Sequence, residues 1–385
     1  MAQDQIPRWR ASTSRVGRAT RMEEDVPMLP GFGVGCEPWT YSHGAQHDWL
    51  SLTKEEILEP DLPIVDPHHH LFFCKDPKRH EQRATHPNIA TYLERELAAD
   101  VNSGHNVVAT VYVQCYAMFR ADAPRHLKPV GETEFVQGVA AIGESQVLGK
   151  CKLCAGIVVT GDPFLQVEEM REALRAHVNA ARNVRGVRFI GGMSEKIPFQ
   201  DPRFRECVKL AVEHGLSLDF NGPEAFPLDW EGVLKNIADL AAAFPQATIV
   251  LDHCGGVVGP KAFGGENGMT LFGKWKELIT ELAKQPNINV KLGGLVMPMA
   301  GHGLEDRSQP IGSEELAGLL EPYISHCIDC FSPSRCMFES NFPMDKCSCS
   351  YPILWNAFKV ICRRKGLTAE AKAQIFAGTA TRVYR

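Results

Sequence analysis

No apolar run in this 385-residue sequence approaches the ~20 residues that a membrane-spanning helix needs, so a soluble protein is expected. Basic residues are not in excess either. Lys and Arg number 41 against 46 Asp and Glu, for a formal net charge of −5. Phosphate binding calls for a basic surface, so nucleic acid is not an expected partner. There is no low-complexity tract and no internal repeat beyond a strand–helix period. No glycine-rich phosphate fingerprint follows any of the apolar runs described below, which removes the main sign of a doubly wound nucleotide-binding sheet. Nothing near the start reads as a secretory signal. The thirteen cysteines are therefore expected as reduced thiols in a cytosolic compartment, and as small buried hydrophobes within the fold. "CKLC" falls on an apolar run expected as a buried strand, where alternation separates its thiols, and "CIDC" and "CSC" lack the paired knuckle spacing of a zinc ribbon.

What the sequence does have is a regular beat. After residue 60 come eight short runs rich in Val, Ile and Leu: "LPIVDPH" (62–68), "NVVATVYVQ" (106–114), "KLCAGIVVT" (152–160), "VRGVRFI" (184–190), "LSLDF" (216–220), "ATIVLDH" (247–253), "NINVKLG" (287–293) and "RCMFES" (335–340). Near-continuous apolar runs of this length are strands buried on both faces. Segments of helical composition lie between them, such as "DPRFRECVKLAVEHG", where Asp201 before Pro202 predicts an N-cap and Gly215 a stop. Eight strands alternating with helices predict a (β/α)8 TIM barrel over residues 61–385. Residues 26–60 are expected as an arm packed on that barrel. Residues 1–25, with five arginines, are expected as a disordered tail; the alternative for that segment is a mitochondrial transit peptide. The long non-periodic stretches 71–90 and 294–311 follow the first and seventh strands and should lie over the C-terminal mouth.

Polar groups collect where the strands end: Asp66, His68 and His70, then Gln114, Arg188, Asp219, Asp252 and His253, Lys291, and finally Glu339 and Asn341. A barrel carries its active site at that end. Strict alternation places Asp66, His68 and His70 on one face and His69 on the other. An imidazole pair beside a carboxylate asks for a partner when buried, and a divalent metal suits it. Lys291 either meets substrate or pairs with Glu339.

"DPHHHLF", "GVRFI", "VLDHCGG", "VKLGG" and "FESNFPMD", in that order, resemble the amidohydrolase superfamily, and within it the amidohydrolase-2 group of TIM-barrel hydrolases. That group holds sugar and dicarboxylate lactonases and, more distantly, non-oxidative decarboxylases. The resemblance implies a hydrolase. His68 and His70 match ligands of one divalent metal, zinc or manganese, although some lactonases of the group work without metal. His253 matches a residue that contacts substrate or assists proton transfer. Arg188 matches a partner for a substrate carboxylate. Where relatives commonly carry an aspartate on the eighth strand this chain has Asn341, which cannot accept a proton. Glu339, Asp219 or Asp345 is then expected as the proton-handling carboxylate, while Lys291, Gln114 and Asn341 contact substrate. The expected reaction is ring opening of a small anionic lactone. Decarboxylation and a catalytically silent ligand-binding barrel are the alternatives. Homo-oligomerisation is left open by the sequence.

Overall fold

The computed structural model describes residues 47–73, 91–190, 196–221, 230–256, 258–265 and 268–385. Eight parallel strands form one sheet in sequence order: β1 (Ile64–His69), β2 (Val107–Val113), β3 (Lys152–Gly161), β4 (Val184–Phe189), β5 (Ser217–Phe220), β6 (Ile249–Leu251), β7 (Ile288–Leu292) and β8 (Cys336–Phe338). The chain just beyond β8 returns to β1. Asn341 N donates to His68 O at 2.8 Å and His70 N to Phe342 O at 2.8 Å, with a parallel bridge between His69 and Phe342. The sheet thus meets itself as the expected (β/α)8 barrel. Helices cover its outside: α1 (Glu94–Val101), α2 (Val130–Glu144), α3 (Val167–Ala180), α4 (Pro202–Glu213), α5 (Trp230–Ala243), α6 (Gly268–Ala283), α7 (Ser313–Phe331) and α8 (Tyr351–Arg364). Asp201 caps α4 by accepting from Arg203 N at 2.8 Å, with Pro202 at the first helical position.

Two apolar layers follow from strand alternation. Ile64, Tyr112, Ile157, Val187, Leu218, Leu251, Leu292 and Phe338 point outward into the helix layer. Val65, Val111, Val113, Val158, Val250 and Met337 point inward, and the barrel floor is finished by Ala380 and Tyr384 from the end of the chain. Among the described residues the cysteines are free thiols, and all but Cys330 are buried.

Alternation fails at one informative place. Asp66 is paired with Thr110 and His69 with Tyr112, so three steps on β1 match two on β2. The extra residue makes a bulge at Pro67, a residue that cannot donate to the ladder. The bulge turns Asp66 away from His68 and His70, contrary to the strict alternation of the sequence reading. Asp66 accepts instead from Ser340 N (2.9 Å) and Tyr351 Oη (2.9 Å), joining β1 to the β8 end and to α8. Burial pushes its carboxyl up to about 6. His69 is buried on the outer side with its ring edge against Tyr112.

Residues 47–60 lie against the barrel. Trp49 Nε1 donates to Arg307 O at 3.0 Å, Ser313 N to Glu55 Oε1 at 2.7 Å, and Lys359 Nζ to the carbonyls of Leu58 (2.6 Å) and Glu59 (3.0 Å). The tail 1–25, residues 26–46 of the arm and residues 74–90 after β1 fall outside the described residues.

Candidate active site

The polar strand ends converge inside the upper barrel. His68 and His70, one turn of pleat apart beyond the bulge, bring their Nε2 atoms within 3.3 Å of each other. His70 Nδ1 lies 2.8 Å from Val113 O, an acceptor, so it carries the ring proton. His68 Nδ1 lies 2.7 Å from Glu339 Oε2 and 3.3 Å from Lys291 Nζ. Of these two neighbours only the carboxylate can take a proton, which favours a protonated Nδ1 in short ion-pair contact with Glu339. Both rings are held neutral: burial and the Lys291 cation push His68 well below the ordinary histidine range, and burial and Arg188 do the same to His70.

Glu339 is the hub. Its Oε1 takes a 2.7 Å hydrogen bond from His253 Nδ1, so one carboxylate orients two imidazoles. Burial alone would raise this carboxyl, yet His253 and His68 pull it down to about 2. In return Glu339 outweighs burial and lifts His253 above its usual value. His253 and Cys254 both have positive φ, +54°. Gly293 and Gly294 leave the space that this needs. A Cβ on Gly294 (φ +66°) would sit 2.0 Å from His253 Nδ1, and one on Gly293 2.2 Å from Glu339 O.

One layer lower, Lys291 is fully buried between Asp219 Oδ2 (3.0 Å) and Asp252 Oδ1 (3.0 Å), which are its ion-pair partners in place of the expected Glu339. Asp219 also accepts from Ser217 Oγ (2.8 Å) and Tyr384 Oη (2.5 Å). Burial raises Asp219, whereas Lys291, His253 and Arg188 overcome burial at Asp252 and hold it low. Asp219 and Lys291 thus belong to the floor of the site. Arg188 reaches upward: Nη2 donates to Gln114 O at 2.8 Å, Nη1 lies 3.7 Å from Asp252 Oδ2, and the side chain lines a small cavity with His70, Phe72, Cys115 and Tyr116.

Asn341 has φ +53°, a left-handed conformation that asparagine tolerates, and its Nδ2 donates to Asp345 Oδ2 at 2.6 Å. Asp345 Oδ1 accepts from Val296 N at 2.8 Å, so the loop after β7 is tied to the β8 end. Burial pushes Asp345 up to about 7 despite these two hydrogen bonds. Sequence reasoning missed three contributors: Tyr384 at the chain end, the paired glycines as spacers, and Glu132 of α2, a first-turn acid that reads as a surface residue.

The donor set fits a divalent ion. With both Nδ1 atoms facing acceptors, the two Nε2 atoms approach to 3.3 Å with lone pairs that a divalent ion would satisfy. Two nitrogens on one tetrahedral zinc are ~3.4 Å apart. Donor atoms of His68, His253 and Glu339 also lie within 4.8 Å of one another. Glu339 Oε1 accepts the His253 ring proton, while Oε2 is buried 2.7 Å from His68 Nδ1 without a hydrogen-bond partner among the described residues, so both groups of donors are candidate seats.

Comparisons with known proteins agree with this architecture. An amidohydrolase family model matches residues 65–385. The uncharacterized protein y4mH of Sinorhizobium fredii is 28% identical over 344 residues, spanning 84% of this chain and 99% of that one. An L-fucono-1,5-lactonase of Burkholderia ambifaria is 25% identical over 204 residues, 52% of this chain and 61% of the relative. Among solved structures, an amidohydrolase of Burkholderia multivorans with bound zinc superposes with a TM-score of 0.60 at 21% identity, covering 83% of this chain and 98% of that one. No helix among the described residues is long and apolar enough to cross a membrane.

Proposed function

This chain belongs to the amidohydrolase family, and from that premise we propose that it opens a small, carboxylated lactone by hydrolysis at the barrel mouth, with a divalent ion held by His68 and His70. The observation that carries the reading is the 3.3 Å approach of two Nε2 atoms whose Nδ1 protons are both engaged elsewhere. The similarity to an L-fucono-1,5-lactonase and to a zinc-bound amidohydrolase supports the reaction class and the metal. A bound ion supplies Lewis-acid polarisation of a carbonyl and acidification of water.

The remaining work falls to the chain's own groups. Arg188, beside His70 in the cavity, fixes the substrate carboxylate through its planar fork. Gln114 lies behind it, and Asn341 faces the reacting carbonyl. Asp345 takes the proton of the attacking water. Of the three carboxylates open to that role, Glu339 is held at about 2, too low to accept a proton at neutral pH, and Asp219 is tied to Lys291 and Tyr384 on the floor. Asp345 is free of a cation among the hydrogen bonds and ion pairs described and is poised at about 7. His253, whose protonated form Glu339 favours, returns a proton to the ring oxygen as it leaves. One water is consumed and a hydroxy acid is released.

The test pairs elemental analysis of the purified protein with turnover of a panel of carboxylated lactones and the neutral L-fucono-1,5-lactone, read by product mass. The expected result is about one equivalent of zinc or manganese, lost in His68→Ala/His70→Ala together with hydrolysis. Full retention of lactone hydrolysis in a folded double variant overturns the reading. A product that has lost carbon dioxide instead of gaining water assigns the site to decarboxylation.

A further inference from the structure

Glu132 is a fully enclosed carboxylate outside the catalytic cluster, 2% exposed, and no described cation pairs with it. Its Oε1 accepts from Tyr112 Oη (2.8 Å), Cys115 N (2.9 Å) and Ala117 N (2.9 Å), and its Oε2 from Thr160 Oγ1 (3.2 Å). An acid in the first turn of a helix normally faces solvent near the helix dipole. This one turns inward, and burial raises its carboxyl in spite of its four donors. Cys115 N belongs to the cavity wall, Ala117 N follows it across Tyr116, and Tyr112 Oη touches the Cys115 thiol at 3.2 Å. Cys115 and Tyr116 are two of the cavity's walls, and Thr160 Oγ1 also lies 3.5 Å from Gln114 Oε1. Gln114 O receives Arg188 Nη2, while Gln114 Nε2 and Arg188 Nε are buried without a hydrogen-bond partner. The segment carrying these walls is also strained: Tyr116 has φ +63° and Met118 φ +51°, values that bulky side chains rarely adopt. Such backbone persists only where its surroundings hold it. Two of the four Glu132 bonds hold its amides directly, on either side of Tyr116.

We propose that Glu132 is a positioning residue for the carboxylate subsite: it pins the strained Cys115–Ala117 turn so that the Gln114 carbonyl holds Arg188 with its unpartnered Nε–H turned to an anionic group of the substrate. The inference rests on the hydrolase reading only for the identity of that anion. The wall geometry stands without it.

The experiment therefore has a readout that needs no substrate. Cys115 lines the cavity with its thiol held by Tyr112 Oη (3.2 Å) and Leu71 O (3.4 Å). Iodoacetamide labelling, mapped by mass spectrometry, is compared for Cys115 and for the core thiol Cys154 in wild type, Glu132→Ala and Glu132→Gln. Glu132→Ala is expected to speed labelling of Cys115 by about tenfold or more, the effect of losing one charge-assisted hydrogen bond, with Cys154 unchanged. On the best carboxylated lactone of the panel it should raise KM by a similar factor with kcat within about threefold. Glu132→Gln, which keeps the acceptor oxygen, should restore both. Unchanged Cys115 labelling, or labelling of Cys115 and Cys154 that rises in step, overturns the proposal, the second outcome marking Glu132 as a general fold stabiliser. Should Glu132→Ala not fold, Glu132→Asp, one methylene too short to reach both amides, takes its place under the same criteria. Absence of any lactone turnover, with local Cys115 exposure, would defeat the hydrolase reading and leave Glu132 assigned.

Discussion

At the scale of single residues, the site divides into groups whose protons are committed and groups whose protons are free. His68, His70 and Glu339 are committed, since each ring Nδ1 faces an oxygen and Glu339 is flanked by two imidazoles, His253 at Oε1 and His68 at Oε2. In the proposed mechanism Asp345 and His253 are the two groups that transfer protons, one raised by burial and one by a carboxylate neighbour. Asn341 stands just beyond β8 and donates to Asp345 at 2.6 Å, so in the proposed mechanism the acidic function falls to Asp345. Asp345→Asn should lower kcat by roughly 10²–10⁴, the usual weight of one acid–base group, while metal content stays at the wild-type level. The exchanged variant Asn341→Asp/Asp345→Asn keeps one acid and one amide in contact and should recover at least about tenfold over Asp345→Asn. Steady-state kinetics beside metal analysis checks this. Wild-type kcat in Asp345→Asn would remove that carboxylate from the mechanism. Much of this layer is legible in the sequence, because inward-facing charges at apolar strand ends have few other uses: His68, His70, Arg188, His253 and Glu339 are all brought together. What local pattern does not carry is partnership. Whether Lys291 meets Glu339 or two aspartates depends on side-chain reach across the barrel, and Glu132 looks like any acid that opens a helix.

At the scale of elements, the working parts are the junctions where strands end. The bulge at Pro67 lets β1 send Asp66 outward to Tyr351 while His68 and His70 point in. A period-2 reading cannot find it, since one inserted residue reverses every later side chain. The end of β7 is equally specific. Gly293 and Gly294 allow the backbone to pass directly beneath Glu339 and His253, and only the motif "VKLGG" hints at this in the sequence. Gly294→Ala should therefore act as a positional lesion: alanine at φ +66° costs about 1 kcal/mol of backbone strain, and its Cβ must displace the His253 ring from Glu339. Expected are a fall in kcat of about 10² or more, a small drop in Tm and unchanged metal content, because the His68–His70 pair is not touched. Loss of metal in step with activity would show that His253 belongs to the ligand set after all. The α2 start acts at the same scale, since Glu132 ties helix, turn and β3 into one wall.

At the scale of the whole molecule, the barrel is a stack of layers, with Tyr384 and inward valines below, then the Asp219–Lys291–Asp252 layer, then the imidazoles, and the helix coat outside. That Tyr384 closes the barrel floor is not readable from the sequence, because nothing in the residues beside it marks a buried side chain. The helix coat sets the response to acid. His177 of α3 is buried against α2, its Nδ1 2.7 Å from Thr133 Oγ1, and burial lowers it to about 4. His69, between β1 and the coat, is lowered by burial to about 3. In the unfolded chain these rings titrate near 6.5, so on acidification the unfolded state binds protons first. Their stabilising contribution is complete above about 6.5 and is lost as pH falls toward the folded values. For His177 the loss between pH 7 and pH 5 amounts to about 2 kcal/mol. Glutamine at this position can still pair with Thr133 but cannot be protonated. His177→Gln should therefore flatten the pH dependence of stability by about that amount, read as the difference in urea unfolding free energy between pH 7 and pH 5. An undiminished acid loss in His177→Gln would mean that the ring already meets solvent in the native state, and that the seam between α2 and α3 is open where the structure has it closed.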